Sequence, residues 1–421
     1  MHFENKSSRF QSVLSHNYGW IVMSGFWMSS LVIPMVAVSL GIMLPDMTVE
    51  LSITPIQAGL LGSAFFIGTA TASLPASIYL SRYSPKKVVA LALLMAALLA
   101  FVQGNAANFY ILMLARLLFT LTMVSRAQAE IILIKQWFGL RQFAFVVSLA
   151  VGILSSGNLL GVGITAWLMD IFSGWRNVYY FLGIVLFIEM FIWIAVGKDK
   201  PDIDISIEPD ANEDNSPSRV LFGNKTVWIL AICPTGAALA FGSVMTFWPT
   251  YALETLNLDL KTVGLLMTLF PVGGTVASFL GGPLSEKAGQ RKIFIWLPGL
   301  LLPIIYIFLF TTTSTTVTAT LLLLAGWNAM IWVPVLRTIQ FDLGFAPRET
   351  AVVVGLSMTI IPVGGAIGPP MVGLIQEISG SLQYGLLGIA LFPITLVVGG
   401  LLIPETIQPE PLHTIESDTD V

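Results

Sequence analysis

Apolar residues in this chain come in long runs rather than in the one-sided stripes of a water-soluble helix, and short polar breaks separate one run from the next. A helix that is apolar all round needs an apolar surrounding, and about 20 residues cross the roughly 30 Å of hydrocarbon in a bilayer. Such runs lie at 19–44, 56–80, 88–104, 109–136, 142–170, 178–196, 226–252, 261–283, 293–312, 316–343, 350–376 and 383–403. The pattern predicts twelve spans. Pro45-Asp46, Ser84-Pro85-Lys86-Lys87, Gly174-Trp175-Arg176 and Glu286-Lys287 mark breaks between them. The spans should be helices, because hydrocarbon offers backbone groups no partner outside their own segment and the runs are too long for barrel strands. The predicted fold class is an all-α membrane protein.

Composition strengthens this reading. With 55% hydrophobic and 10% charged residues, a chain of 421 residues has too little polar surface to cover a soluble domain. The positive residues then give an orientation. Lys6, Arg9, Arg82, Lys86, Lys87, Lys135, Arg141, Lys198, Lys200, Arg219, Lys225, Lys287, Arg291, Lys292 and Arg348 share one face if odd spans run outward, and Arg176 and Lys261 fall on the other. The lysine-rich face is expected to be cytoplasmic, with both termini on it and the protein in the plasma (inner) membrane. The first run continues for about 26 residues without an A-x-A pattern, so it is read as a retained helix rather than a signal peptide. Cys233 is the single cysteine, and His2, His16 and His413 lie in or near the tails. Neither an internal disulfide nor a buried metal cluster is expected, and no cofactor is.

One stretch differs in kind. Residues 198–225 carry Asp199, Asp202, Asp204, Glu208, Asp210, Glu213 and Asp214 among Pro, Ser and Asn, the composition of a solvated linker. It divides the chain into a tail at 1–17, a six-helix unit at 18–197, a second at 226–404 and a tail at 405–421. The halves repeat. At an offset of 207, Phe138, Arg141, Ala144, Val146, Val147, Gly157 and Gly161 match Phe345, Arg348, Ala351, Val353, Val354, Gly364 and Gly368 without a gap. Duplication of a six-helix unit explains this economically. Gly157-x-x-x-Gly161 and Gly364-x-x-x-Gly368 put a bare stripe on spans five and eleven, where another helix can approach closely and slide. Pro34, Pro75, Pro249, Pro271, Pro334 and Pro362 permit bends within spans.

The loop Gly282-Pro-Leu-Ser-Glu286-Lys287-Ala-Gly289-Gln-Arg291-Lys292 resembles the signature loop of the major facilitator superfamily, G-x-x-x-D-R-x-G-R-K, with Glu for Asp and Lys for Arg. Its counterpart in the first half keeps Arg82, Lys86 and Lys87 but has Ser81 where the acid would stand. Arg116 matches the arginine of a second family motif, and Gly174-Trp175-Arg176 resembles a further one. The resemblance covers about residues 18–404. It implies two six-helix bundles rocking about a central site, with spans one, four, seven and ten lining the cavity, two, five, eight and eleven between the bundles, and three, six, nine and twelve outside. It also implies that Glu286, near Lys287 and Arg291, latches one bundle to the other. Gly157-Asn158-x-x-Gly161 is similar to a run in nitrate and cyanate porters, and the general style is similar to monocarboxylate and oxalate porters.

A charge at mid-bilayer costs several kcal/mol, so it should face a cavity or a partner. Span four holds Arg116, Arg126 and Glu130. Span ten holds Asn328, Trp332 and Arg337, and Glu189 stands alone on span six. In the family layout Arg126 and Arg337 would face each other across the pore as a clamp for an anion. Arg126 can equally pair with Glu130 at i, i+4, and Arg337 with Asp342. Trp27, Asn328 and Trp332 can bind or pack. Asn158 can hold a neighbouring helix or an oxyanion, while Arg116 and Glu189 read as structural.

The expected function is secondary transport of a small organic or inorganic anion by alternating access, with Glu130 the best-placed proton carrier. Proton-driven efflux of hydrophobic compounds is the alternative, favoured by Trp27, Trp248 and Trp332. A receptor that lost transport is the minor one. No Walker loop supports ATP driving, and no histidine or aspartate pair at depth supports an intramembrane enzyme. Expected partners are a small-molecule substrate, the bilayer and protons as coupling ion, with no nucleic acid. The protein is expected to be a monomer.

Overall fold

The computed structural model describes residues 4–80, 83–138, 140–200, 223–345 and 347–406. Every regular element among them is helical. Span one runs Glu4–Val38 and continues as Leu40–Glu50 after a turn at Ser39; its helix begins inside the stretch read as tail. Span two is Pro55–Leu80, span three Pro85–Gly104, span four Phe109–Trp137, span five Leu140–Phe172 and span six Trp175–Val196. The second half follows with span seven (Lys225–Ile232 and Thr235–Glu254), span eight (Leu260–Lys287) and span nine (Ile293–Leu309). Span ten (Thr315–Met330 and Trp332–Asp342), span eleven (Pro347–Ser379) and span twelve (Leu382–Ile389, a 3-10 turn Phe392–Ile394, and Thr395–Leu402) complete it. Eleven of these are long and apolar enough to cross a membrane, and span nine, at 17 residues, is the short one.

The breaks in spans one, seven and ten fall on three of the four helices expected to line a cavity. The break in span seven sits at Cys233-Pro234, where proline cannot donate to the helix ladder. Pro34 and Pro45 flank the turn in span one.

Because the described spans alternate in direction, the starts of spans one and seven and the ends of spans six and twelve lie on one face, here called the terminal face. On it, two carboxylates fasten the helix starts. Asp199, just past span six, accepts from Ser84 Oγ and from the Lys86 amide at 2.9 Å, at the start of span three. Glu405, just past span twelve, accepts from the Arg291 and Lys292 amides at 2.9 and 3.3 Å, at the start of span nine. An anion at a helix N-terminus satisfies amides that have no partner in the helix and meets the positive end of its dipole. The two fastenings occupy equivalent places in the two halves.

Spans two and eleven pack on each other, as do five and eight, joining the halves. Each glycine stripe receives a closely packed helix, as the spacing allowed, and the neighbour is one the spacing did not name. A Cβ on Gly157 would meet the Ser30 and Leu31 carbonyls, and one on Gly161 the backbone of Met35, all on span one. Likewise, Gly364 abuts Thr235 and Gly368 abuts Leu239 on span seven. Both stripes therefore seat a helix inside its own bundle. Close approaches between bundles include Gly59 against Pro369 and Pro370, Gly373 against Pro55 and Ile56, and Gly41 and Gly62 against Met245 and Thr246 of span seven.

These contacts cluster on the far face, opposite the terminal face. There Ser63 Oγ donates to the Ala366 carbonyl at 2.6 Å, and Lys261 pairs with Asp170 at 2.7 Å. The far face is thus closed between the bundles. Outside, exposed apolar residues run along the helices, Leu91, Met95, Leu98 and Val102 on span three and Ile184, Ile188 and Phe191 on span six, giving lipid a surface to wet.

Candidate functional site

Two cavities lie between the bundles. One, of about 300 Å³, is lined from the terminal-face half of the spans, including Thr69 and Ser73 of span two, Phe241 of span seven, Trp332, Arg337 and Gln340 of span ten and Ser357 of span eleven. The other, of about 290 Å³, includes Arg116 and Met123 of span four, Ser155 and Asn158 of span five, and Thr275 and Ser278 of span eight. They share Phe65, Phe66, Phe241 and Met330. Their walls come from spans one, two, four, five, seven, eight, ten and eleven, with none from three, six, nine or twelve.

Arg337 is exposed to the first cavity and, among the described residues, has no hydrogen-bond or ion-pair partner. Asp342, the carboxylate that could have taken it, is bound to Arg291 and accepts from Thr406 Oγ1 at 3.0 Å. The rest of this wall is largely apolar, and its nearby amide is engaged, Gln340 Nε2 donating to Ser357 Oγ at 2.7 Å. Trp332 packs into the same wall, with its indole N–H buried and unpartnered.

Arg126 is placed elsewhere. It is 4% exposed, donates to Ser29 Oγ at 3.0 Å, to Ser30 Oγ and to the Phe26 carbonyl at 3.2 Å, and lies 3.9 Å over the Phe26 ring. Every one of these contacts is to span one. It lines neither cavity, so the two arginines do not form the clamp expected across the pore. Glu130 is half-buried one turn along and accepts from Trp27 Nε1 at 3.1 Å rather than from Arg126. Glu189, 6% exposed on span six, joins the group: both carboxylates act electrostatically on the Arg126 guanidinium. Sequence reasoning set Glu189 aside because it stands on an outer helix, yet an acid in an apolar span was the signal that could have found it.

Arg116 holds the first bundle together. It donates to the Ala37 carbonyl at 2.9 Å, the Leu61 carbonyl at 3.3 Å, Tyr179 OH at 3.0 Å and Gln103 Oε1 at 3.4 Å, so one guanidinium ties span four to spans one, two, three and six. Asn328 is buried and donates to the Leu324 carbonyl of its own helix at 2.8 Å, outside both cavities. Asn158 does line the second cavity.

In the signature loop, Gly282 and Gly289 flank an exposed Glu286 and Lys287, and neither side chain forms an ion pair among the described residues. The expected latch is therefore not made in this conformation; Arg291 instead ties the loop to the end of span ten. Gly289, at φ 64°, takes the left-handed turn that ends span eight. Arg82 lies outside the described residues. On the far face, Gly174 adopts φ 131° so that Trp175 and Arg176 can both reach Glu50, at 2.6 Å each.

The sequence profile of the Major Facilitator Superfamily matches residues 26–369 and 230–418. The chain belongs to the major facilitator superfamily. It is accordingly a multi-pass membrane transporter. A superfamily structure of a bacterial homologue of the human lysosomal transporter Spinster, inward-facing and unoccupied, superposes with a TM-score of 0.76 over 91% of this chain and 94% of that one, at 16% identity. The "Probable sulfoacetate transporter" of Cupriavidus necator is 24% identical over 374 residues, 82% of this chain and 84% of the relative. The "Potential vesicular glutamate transporter" of Caenorhabditis elegans is 22% identical over 254 residues, and the match spans 46% of that relative's length.

Proposed function

We propose that this superfamily member carries small organic anions across the plasma membrane by alternating access, with the terminal face cytoplasmic. The observation that carries this reading is Arg337, a guanidinium without a protein partner in a mostly apolar cavity between the bundles. A charge on a cavity wall at membrane depth marks a binding site by default, and a carboxylate or sulfonate would match the planar fork of the guanidinium. The two relatives named above for acids support the substrate class. Phe65, Phe66 and Phe241 would pack against the substrate's carbon chain, and Asn158, Ser155 and Ser278 would meet polar groups in the second cavity. The clamp is thus one arginine rather than two. Arg126 serves to join spans four and one, and Glu130 beside it is the residue through which protons drive uptake. Transport needs no cofactor in this reading and the protein works as a monomer.

Purified protein in liposomes, loaded with sulfoacetate or glutamate and assayed for uptake of the labelled acid, tests the proposal. Truncating one partner of a buried charge pair costs about 2–5 kcal/mol, so Arg337→Gln should raise KM roughly 100-fold while leaving folded protein in the membrane. Uptake in Arg337→Gln equal to the parent would remove the anion reading. The aromatic wall gives a second reading, export of hydrophobic cations; transport of a lipophilic cation undiminished by Arg337→Gln would favour it.

A further inference from the structure

The charged group inside the first bundle does not balance. Arg126 faces two carboxylates, Glu130 and Glu189, and spends its hydrogen bonds on two serine hydroxyls and a carbonyl of span one. Glu130 has the indole of Trp27 and stays half-exposed. Glu189 has neither advantage. It is more than nine-tenths buried, and its Oε2 has no hydrogen-bond partner among the described residues.

Span six packs against spans one, three and five. Among the described titratable groups there, Tyr18, Lys86 and Lys87 belong to the terminal ends of their helices, and Asp46, Glu50 and Asp170 to the far ends. On span six itself, Tyr179 is bound to Arg116, Tyr180 donates to the Gly104 carbonyl at 3.2 Å, and Arg176 is bound to Glu50. That leaves Arg126, and beyond it Glu130, facing Glu189. One positive charge cannot neutralise two negative ones. An uncompensated ion in a low-dielectric interior costs several kcal/mol, which a carboxylate escapes by taking up a proton.

We propose that Glu189 is a proton-binding site on an outer helix of the first bundle, neutral while Arg126 grips span one and ionised when the guanidinium swings toward span six. The proton leaves the carboxyl oxygen for solvent water, and the new carboxylate is paired by Arg126, which gives up its serine partners. The consequence is mechanical. Ser29 and Ser30 sit on span one where Gly157 of span five is seated, and further along the same span Gly41 abuts span seven at the closed far face. Occupancy of Glu189 by a proton thereby sets the hold of span four on a helix that belongs to the gate. This rests on the transport reading for its purpose but not for its chemistry.

The test is infrared difference spectroscopy of the full-length protein in lipid nanodiscs, following the carbonyl stretch that a protonated carboxylic acid has and a carboxylate lacks. The wild-type protein should show this band at neutral pH and lose it on alkalinisation. Glu189→Gln should lack it, Glu189→Asp should move it, and Glu130→Gln should keep it. A band unchanged in Glu189→Gln, or lost in Glu130→Gln alone, overturns the assignment. Melting curves of each variant show that folded protein was compared. Because the spectrum is read on protein that need transport nothing, failure of the anion reading leaves this experiment decisive.

Discussion

Three arginines in the membrane interior have three different fates, and the difference lies in what surrounds each guanidinium. Arg116 has four neutral acceptors from four other spans. Arg126 has hydroxyls, a carbonyl and a ring, with two acids nearby. Arg337 has none among the described residues. Hydrogen bonds to a charged group contribute about 1.5–3 kcal/mol each, and partners left buried and unpaired cost about 1–3 kcal/mol more. Arg116→Ala should therefore destabilise the protein by about 3 kcal/mol or more, seen as a lower melting temperature in detergent. Arg337→Ala should leave that temperature nearly unchanged while abolishing uptake. The presence of these charges was legible in the sequence, because a charge in an apolar run is conspicuous. Their partners were not: Arg126 reaches span one, roughly a hundred positions away, and Asp342 chooses Arg291 over Arg337. Such choices depend on helix rotation, which all-round apolar spans do not encode.

Among the helices, the breaks and close approaches define what can move. Spacing revealed the Gly157/Gly161 and Gly364/Gly368 pairs but could not say which neighbour they receive, and each receives a helix of its own bundle. Gly59 and Gly373, which repeat no obvious motif, are among the glycines that make contact between bundles. These two classes should respond differently to a side chain. Gly373→Val would press on Pro55 and loosen the far-face closure, so a thiol introduced as Ser63→Cys in a Cys233→Ala background should react faster with an impermeant maleimide. Gly364→Val would instead overlap Thr235 within one bundle, lowering the melting temperature with little gain in labelling. Equal labelling in both would mean that Gly373 is not part of the closure. Helix number and approximate bounds were readable because run length alone determines them; the turns at Ser39 and Ile331 were not, since no proline stands at either position.

For the whole molecule, the repeat and the charge asymmetry were the strongest signals. The duplication anticipated two units, the family resemblance placed spans two, five, eight and eleven between them, and the packing of two on eleven and five on eight agrees. The orientation proposed from the positive residues has a direct check. An impermeant amine reagent added to intact cells should modify Lys261 and leave Lys87 and Lys292 untouched until the membrane is breached. Ready labelling of Lys87 and Lys292 from outside would reverse the topology.

The carboxylates of Asp199 and Glu405 carry one more implication. Each follows the last helix of its half and returns to the start of that half's third helix, so each half is buckled shut by its own residues. A chain severed beyond Lys200 in the connecting stretch would leave two self-fastened pieces, able to find each other again across the faces of spans two and eleven, because each keeps the carboxylate that closes it.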